Sequence, residues 1–221
     1  MTPDIRYFLQ IVEEADTGEE TIYVNTRRLI GKAERTGGFQ VWNDNIVLPA
    51  LYINTTWFFC NNYQINGKKS TISQRLGSLT HRSELVIRGH GDVRNNMVSQ
   101  VSAEVFARAL VELGFAVNCR INITGCNLGR NSNVAGADRK DKSASEVGTK
   151  SFAAIFQKEL WNKRRLTNEI HARTSPVTVT EDGSKETFDF DSERTTIHKQ
   201  EHSKIIFTID ANGMQSMKFA Y

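Results

Sequence analysis

The pattern of apolar and polar positions in the middle of the chain predicts two buried strands with an amphipathic helix between them. Residues 84–89 and 120–124 are short apolar runs that stop at or before a glycine, which is typical of buried strands. Between them, residues 102–113 place apolar side chains at helical spacing after Ser102, a good N-cap. A strand–helix–strand unit joins two parallel strands by a right-handed crossover. His90 and Cys126, which follow the two strands, are therefore expected at one edge of the sheet, where ligands bind in open α/β sheets.

The rest of the pattern predicts an α/β chain that begins with a strand and a helix and ends in strands. Further strands are predicted at residues 5–12, 39–42, 46–48, 51–60, 169–173, 177–180, 187–190, 204–209 and 214–221, and further helices at 21–35 and 151–166. Residues 181–184 carry a hairpin-turn signal. Residues 66–70 and 92–100 are predicted as loops. The long polar stretch 127–145 is predicted as a mobile surface loop or a processing-prone insertion.

Composition narrows the class of protein. The chain has 221 residues, 39% of them hydrophobic and 24% charged, which favours one globular domain or at most two. The net charge of +3 is too small to indicate a nucleic-acid partner. Three cysteines argue against a disulfide framework and favour a reducing compartment. No apolar run is long enough to span a bilayer, and no secretory signal is visible at the amino terminus.

A cysteine beside a histidine is the minimum equipment for thiol nucleophilic catalysis. A thiol with an ordinary pKa of about 8.5 needs a positive neighbour to be a thiolate at neutral pH. His90 can supply that charge and later protonate the leaving amine. The backbone amides around Gly91, Gly125 and Cys126 are candidates to hold the oxyanion of a tetrahedral intermediate.

Each of these residues also has a purely structural interpretation. A lone cysteine after an apolar strand is commonly a small buried side chain, and a lone His-Gly pair is commonly part of a loop. Their pairing at one sheet edge is what favours catalysis. Cys60 and Cys119 are predicted to belong to the core. The remaining histidines have no metal-ligand spacing with cysteines, so no metal is expected.

Six short segments, in this order along the chain, match one known family. They are Gly89-His90-Gly91-Asp92, Ser102-Ala103-Glu104, Gly125-Cys126-Asn127-Leu128, Ile170-His171-Ala172-Arg173-Thr174-Ser175, Asp182-Gly183-Ser184-Lys185 and Ser203-Lys204-Ile205-Ile206-Phe207. In these motifs the chain resembles the self-cleaving cysteine peptidase domain of large bacterial toxins, the MARTX and large clostridial glucosylating toxins.

The resemblance implies an α/β, caspase-like (clan CD) fold. A mostly parallel central sheet would be flanked by helices on both faces, with a C-terminal β-hairpin flap. Residues 1–221 would form a single domain, with a core at about 5–175 and the flap and last strands at about 176–221. Cys126 would be the nucleophile and His90 the general acid/base of a cysteine endopeptidase.

The same resemblance implies a substrate, a ligand and a place of action. The substrate would be a peptide, either the chain itself in cis or a host protein, cut after leucine. The allosteric activator would be inositol hexakisphosphate, met by a secreted bacterial toxin or effector in the host cytosol. The matching positions for this polyanion are Lys32, Lys185 and Lys204, with Arg6 and Lys199 as weaker candidates.

The chain departs from the family pattern in four ways. The segment between His90 and Cys126 is short, and the loop after Cys126 is longer and more basic. Ser184 stands where the flap turn of the family has arginine, and no acid that would orient His90 is assigned; these last two keep alternatives open. The alternatives are a non-catalytic caspase-like module that binds a polyphosphate or a protein, and a thiol acyl transferase using the same dyad.

Overall fold

The computed structural model of the chain describes residues 3–13, 22–48, 68–189, 194–197 and 202–220, and these build a central sheet with helices on both faces. The strands are β1 (Ile5–Glu13), β2 (Gln40–Leu48), β3 (Glu84–Arg88), β4 (Gly91–Asp92), β5 (Met97–Val98), β6 (Val101–Ser102), β7 (Arg120–Thr124), β8 (Ile170–Arg173), β9 (Val177–Val179), β10 (Lys185–Asp189), β11 (Arg194–Ile197), β12 (Lys204–Ile209) and β13 (Gln215–Phe219). The helices are α1 (Ile22–Thr36), α2 (Lys68–Gly77), α3 (Ala103–Glu112), α4 (Ala144–Gly148) and α5 (Phe152–Arg164).

The central sheet has seven strands in the order β13-β12-β8-β7-β3-β1-β2. The five strands from β8 to β2 are mutually parallel, while β12 and β13 are antiparallel additions. The predicted α/β architecture with a mostly parallel sheet is thereby confirmed. Because β3 and β7 are parallel neighbours, the residues that follow their carboxyl ends meet at the same sheet edge, as the sequence pattern predicted.

Successive side chains of a strand point to opposite faces, and here the two faces differ. Odd-numbered residues of β1 and β3, such as Leu9 and Ile87, belong to the main core together with apolar side chains from α2, α3 and α5. On the other face, Phe8 and Val86 pack with Leu29 of α1 in a small second cluster. Polar and charged side chains fill the remaining positions of that face, and both candidate sites lie on it.

The helices begin where the sequence supplies a hydrogen-bond acceptor for their first amides. Ser102 caps α3 by accepting from the backbone N–H of Val105, and Ser151 caps α5 by accepting from that of Ala154. Phe106 and Phe156 then stack with ring centroids 5.6 Å apart, which joins these two helices in the core. The crossover between β3 and β7 is thus held by packing and by caps that the sequence makes visible.

A hairpin follows the central sheet where a flap was predicted. Strands β9 and β10 are antiparallel and join through the turn at residues 180–184, and β11 adds to the far side of β10. Gly183 in this turn has a φ of +80°, and a Cβ there would lie 2.5 Å from the carbonyl oxygen of Arg28. The turn therefore sits directly on α1, and only glycine fits at its point of contact.

Several local predictions were wrong. Residues 39–42 and 46–48 belong to the single strand β2, α2 begins at Lys68 inside a predicted loop, and residues 92–100 contribute to the small three-stranded sheet β4-β5-β6. The predicted strand 51–60, with Cys60, lies outside the described residues.

The stretch 127–145 was predicted as a mobile loop, and it is instead folded onto the sheet edge. Arg130 is 8% exposed and donates to the carbonyl oxygens of Thr174 and Val134, while Arg139 is fully buried. The polar composition misled the prediction because these guanidinium groups are buried and donate hydrogen bonds to the backbone carbonyls of Thr174, Val134 and Gly136.

Candidate active site and basic cavity

The loops that carry His90 and Cys126 are in direct contact. A Cβ placed on Gly91 would lie 1.8 Å from the carbonyl oxygen of Cys126, and one on Gly125 would lie 2.7 Å from that of Gly89. Real side chains do not tolerate such distances, so glycine is required at both positions. The fold therefore brings the two loops together at Gly91, Gly125 and Cys126, which the sequence singled out, and His90 and Cys126 line one cavity.

Ser99 fixes the loop that presents His90. Its hydroxyl accepts from the backbone N–H of His90 at 3.0 Å and donates to the carbonyl oxygen of Ile11 at 2.9 Å. Its own backbone N–H donates to the carbonyl oxygen of His90 at 2.7 Å. Ser99 is 2% exposed, so these bonds are shielded from water. The sequence analysis missed this residue, since a serine in a polar loop gives no signal of burial.

The Cys126 thiol lies against the first strand of the hairpin. The backbone N–H of Val177 donates to Sγ at 3.5 Å, and Sγ donates to the carbonyl oxygen of Val177 at 3.8 Å. Cys126 is half-buried and His90 is exposed. The Cys126 thiol is thus in contact with the same strand that leads into the hairpin turn.

A narrow cavity of about 200 Å³ opens beside the dyad. We call it the dyad cavity; its described lining consists of Ile22, Asn25, Arg28, Arg88, Gly89, His90, Thr124, Gly125, Cys126, Val177 and Thr178. Arg88, the last residue of β3, is 2% exposed. Burial lowers the pKa of Arg88 to about 10, and the charge of Cys126 opposes this shift, so the guanidinium stays protonated at neutral pH.

A wider cavity of about 480 Å³ lies on the same face of the sheet. We call it the basic cavity, defined by the six cationic side chains in its described lining: Arg6, Lys32, Arg120, Arg173, Lys185 and Lys204. Four of the five predicted polyphosphate residues are therefore brought together, from α1 and three separate strands. The fifth, Lys199, lies outside the described residues.

Arg120 and Arg173 were missed by the sequence analysis. Arg173 stood inside a matched family segment, so its charge in an otherwise apolar strand was the available signal. Arg120 opens β7 and had no such signal. His171 also lines the cavity, and Glu84 is the single acid among its described lining residues. Glu84 accepts from Arg6 and from the side-chain amide of Asn122.

Crowding of like charges shapes the electrostatics of the basic cavity. The pKa of Lys204 is lowered to about 8, first by burial and then by Arg173 and Arg120. Burial, followed by the charge of Arg173, lowers the pKa of Lys185 well below its usual range. The pKa of His171 is lowered by burial and next by Lys204. A polyanion bound in this cavity would favour the protonated, positively charged forms of these side chains.

Two structural elements, α1 and the β9–β10 hairpin, contribute residues to both cavities. Thr124 joins them more directly, because its hydroxyl accepts from Lys185 Nζ at 3.2 Å and its carbonyl oxygen accepts from Arg88 at 2.8 Å. Ser184 stands where the hairpin turn of the family has arginine. It contacts α1, because Lys32 Nζ donates to its hydroxyl at 3.0 Å.

Other candidate groups lie apart from the dyad. Cys119 is 3% exposed, and burial raises the pKa of its thiol to about 12, which fits the predicted core position. No group of three or more metal-ligating side chains occurs among the described residues. None of the helices in the described ranges has the length and apolar character needed to cross a membrane.

Comparison with known proteins gave one assignment. The model of the Peptidase C80 family matches residues 55–188, more than half of the chain. This family comprises the cysteine peptidase domains of MARTX and large clostridial toxins. A search of curated proteins found no significant match. The match covers both loops of the dyad and the β9–β10 hairpin.

Proposed function

The chain belongs to the Peptidase C80 family of cysteine peptidases, and on that premise we propose that Cys126 and His90 are its catalytic dyad. As a cysteine-type endopeptidase of a self-processing family, the chain needs an accessible thiol next to a base. Among the described residues two cysteines are free, and Cys119 is buried in the core. The observation that carries the proposal is the contact of the His90 and Cys126 loops at Gly91 and Gly125.

The chemistry follows from this pairing. The Cys126 thiolate attacks the carbonyl carbon of the substrate, the C–N bond breaks, and the leaving amine takes a proton from the His90 imidazolium. Water, deprotonated by His90, then attacks the thioester carbon and releases the new carboxyl end with Cys126 restored. We place the developing oxyanion at the backbone N–H groups around Gly91, Gly125 and Cys126.

We assign the basic cavity to inositol hexakisphosphate as allosteric activator. Arg6, Lys32, Lys185 and Lys204 would contact it, joined by Arg120 and Arg173. Six cations from distant parts of the chain converge there, and the pKa values of Lys185 and Lys204 are lowered, first by burial and then by the charge of Arg173. Multiple phosphate groups would relieve that repulsion through charge-assisted hydrogen bonds. Lys199 stays a prediction from the resemblance.

Binding of a ligand at the basic cavity would affect the dyad through the β9–β10 hairpin. The Val177 backbone contacts Cys126 Sγ at one end of the hairpin, and Lys185 lines the basic cavity at the other. A ligand that draws Lys185 toward its phosphates would favour a hairpin position in which the thiol is released. This supplies a physical route for activation of the peptidase in a host cell.

The natural substrate is proposed to be the chain itself in cis or a host protein. Strand β9 is the outer strand of its small sheet, so an extended peptide could pair with its backbone next to Cys126. Leucine before the cleaved bond stays a prediction from the family resemblance. A secreted toxin or effector that acts in the host cytosol is the matching proposal for its place of action.

Intact-mass spectrometry tests the dyad and the activator together. Wild type, Cys126→Ala and the control Cys119→Ala would each be incubated with and without inositol hexakisphosphate. We expect ligand-dependent truncation in wild type and in Cys119→Ala, and none in Cys126→Ala. Truncation that persists in Cys126→Ala would contradict the nucleophile. Truncation of equal rate without the ligand would contradict the switch, and no truncation in any sample would contradict self-processing.

A further inference from the structure

One buried side chain connects His90 to the central sheet. Strands β1 and β3 are paired as far as Gln10 with Arg88, so Ile11 and His90 lie beyond the last pair. His90 donates its backbone N–H to the Ser99 hydroxyl at 3.0 Å, and that hydroxyl donates to the carbonyl oxygen of Ile11 at 2.9 Å. The hydroxyl therefore stands between the two strands at the point where their own pairing ends.

Ser99 also holds His90 from its other side. The backbone N–H of Ser99 donates to the carbonyl oxygen of His90 at 2.7 Å. The backbone N–H and C=O of His90 are thus both bonded to one residue, and that residue is 2% exposed. Two hydrogen bonds to a shielded residue fix the backbone from which the imidazole projects.

The residue before His90 is fitted to this contact. A Cβ placed on Gly89 would lie 2.5 Å from Cγ2 of Val98 and 2.9 Å from Oγ of Ser99. A side chain at residue 89 would therefore push the His90 loop away from the serine, and glycine is required there. Gly89 and Ser99, ten residues apart in the chain, are thus matched to a single close approach.

The backbone of Ser99 itself is held in an unfavourable conformation. Val98 and Val101 pair across the β5–β6 hairpin, so Ser99 and Gln100 form its two-residue turn. Their φ angles are +42° and +64°, in the left-handed region that favours glycine, and Asn-Gly is the usual sequence of such a turn. A serine kept at a strained position next to a reactive group indicates that its side chain has a function.

We propose that Ser99 is a positioning residue for the peptidase, and that its hydroxyl places His90 relative to Cys126 by tying the His90 backbone to the end of β1. Ser99 is absent from the described lining of the dyad cavity, so it acts through His90 and makes no contact with the substrate. Its loss should slow the proton transfers made by His90 and leave substrate binding unchanged. The inference rests on the proposed function, because it takes His90 as the general acid and base.

Two glycine variants of the same turn separate the hydroxyl from the backbone. Ser99→Gly removes the hydroxyl and relieves the strain, whereas Gln100→Gly relieves the strain alone. The substrate would be a peptide copied from the self-cleavage site that intact-mass spectrometry identifies, at saturating inositol hexakisphosphate. We expect kcat of Ser99→Gly to be about 100-fold lower, the effect of a displacement of about 1 Å, with KM within about twofold of wild type. Gln100→Gly should match wild type in both constants.

Hydrogen exchange on the wild-type chain tests the same contact with no substitution. The His90 amide donates to a hydroxyl that is shielded from water, so its proton should exchange at least about 100-fold more slowly than in an unstructured peptide. Thermal unfolding of both variants would show whether each is folded at the assay temperature. The exchange measurement keeps the inference testable if Ser99→Gly does not fold.

The outcomes separate the inference from the function on which it rests. A kcat of folded Ser99→Gly within twofold of wild type, or an unprotected His90 amide, would overturn the positioning role and leave the peptidase intact. The same conclusion would follow if Gln100→Gly lost as much activity, or if the whole loss appeared in KM. Absence of cleavage by the wild type, or equal cleavage by Cys126→Ala, would overturn the proposed function and the inference with it.

Discussion

The basic cavity and the dyad cavity lie on one face of one sheet, and both are positively charged, yet they are built differently. The basic cavity gathers six cationic side chains, and Glu84 is the one acid among its described lining residues. The dyad cavity is less than half as large and has two arginines in its described lining, beside the thiol and the imidazole. The first has the size and charge for a free ligand with many phosphates, and the second has room for a single side chain of a peptide.

Strand β7 takes part in both cavities. It contributes Arg120 and Asn122 to the basic cavity and Thr124 to the dyad cavity, at alternating positions that share a face. Under the proposed function, a ligand in the basic cavity would therefore act on a strand that ends next to Cys126. The experiments below separate the two cavities, beginning with the change of largest expected effect.

Substitution of Gly91 should slow cleavage about 100-fold while sparing the basic cavity. The new methyl group of Gly91→Ala would overlap the carbonyl of Cys126 and push the two catalytic loops apart. Displacement of about 1 Å can lower the rate about 100-fold, which the rate of self-cleavage or peptide cleavage would show. Affinity for inositol hexakisphosphate, measured by calorimetry, should stay close to that of wild type.

Gly77→Ala is the matched control for that change. Gly77 ends α2, and a Cβ there would meet no other atom within 4 Å. Its cleavage rate should equal that of wild type. Full activity of Gly91→Ala would contradict the close contact on which the dyad assignment depends.

Removal of one lysine from the basic cavity should weaken ligand binding and leave maximal cleavage intact, the reverse of the Gly91 substitution. Lys204→Ala deletes a half-buried ammonium from the basic cavity, and one charge-assisted contact to phosphate stabilises a complex by about 1.5–3 kcal/mol. Calorimetry should therefore show affinity for inositol hexakisphosphate about 10- to 100-fold weaker, while maximal cleavage at saturating ligand is retained. Lys163→Ala, exposed on the last turn of α5, is the control; equal losses in both variants would contradict a specific site.

The affinity for the polyanion should fall as the pH rises from 7 to 9. In the empty cavity Lys204 loses its proton as the pH passes its lowered pKa of about 8, and binding must then restore that proton. Affinity is thus highest below pH 8, and one such lysine lowers it about tenfold by pH 9. Lys204→Arg keeps its charge throughout and should flatten the curve, whereas parallel curves would contradict this assignment.

Thr124→Val should have the smallest effect and reports on the connection between the cavities. The change keeps the shape of the side chain and removes the hydroxyl that accepts from Lys185 Nζ at 3.2 Å. It leaves the backbone carbonyl that accepts from Arg88. We expect about threefold weaker activation by inositol hexakisphosphate, measured as the concentration for half-maximal cleavage. An unchanged activation curve would show that the hairpin alone transmits the signal.

Hydrophobic periodicity predicted the scaffold well because it is a local signal. The strands around His90 and Cys126, the crossover helix with its Ser102 cap, and the meeting of both residues at one edge follow from short segments and a handedness rule. Element ends shifted by one or two residues, where caps and turns rather than burial decide the boundary.

The contents of the two cavities were harder to predict because they depend on which side chains from distant strands share a face. Ser99, Arg88 and Arg120 look like ordinary polar residues in the sequence, and their roles arise only when β1, β3 and β7 are placed side by side. The burial of Arg130 was not predicted for the same reason. Its charge indicated a surface loop, while the fold uses it to bind backbone carbonyls.

The hydrogen bonds between the Cys126 thiol and the Val177 backbone have a consequence for covalent inhibitors. An electrophile that approaches the sulfur meets the Val177 backbone beside it, so the frame that carries the reactive group affects the speed of inactivation as well as the group itself. Compounds that carry an extended backbone able to replace Val177 would gain a reactive thiol as they bind. Small isolated electrophiles would approach a sulfur that is hydrogen-bonded to the protein's own main chain. Selectivity in such a compound would come from its peptide-like frame more than from its reactive group.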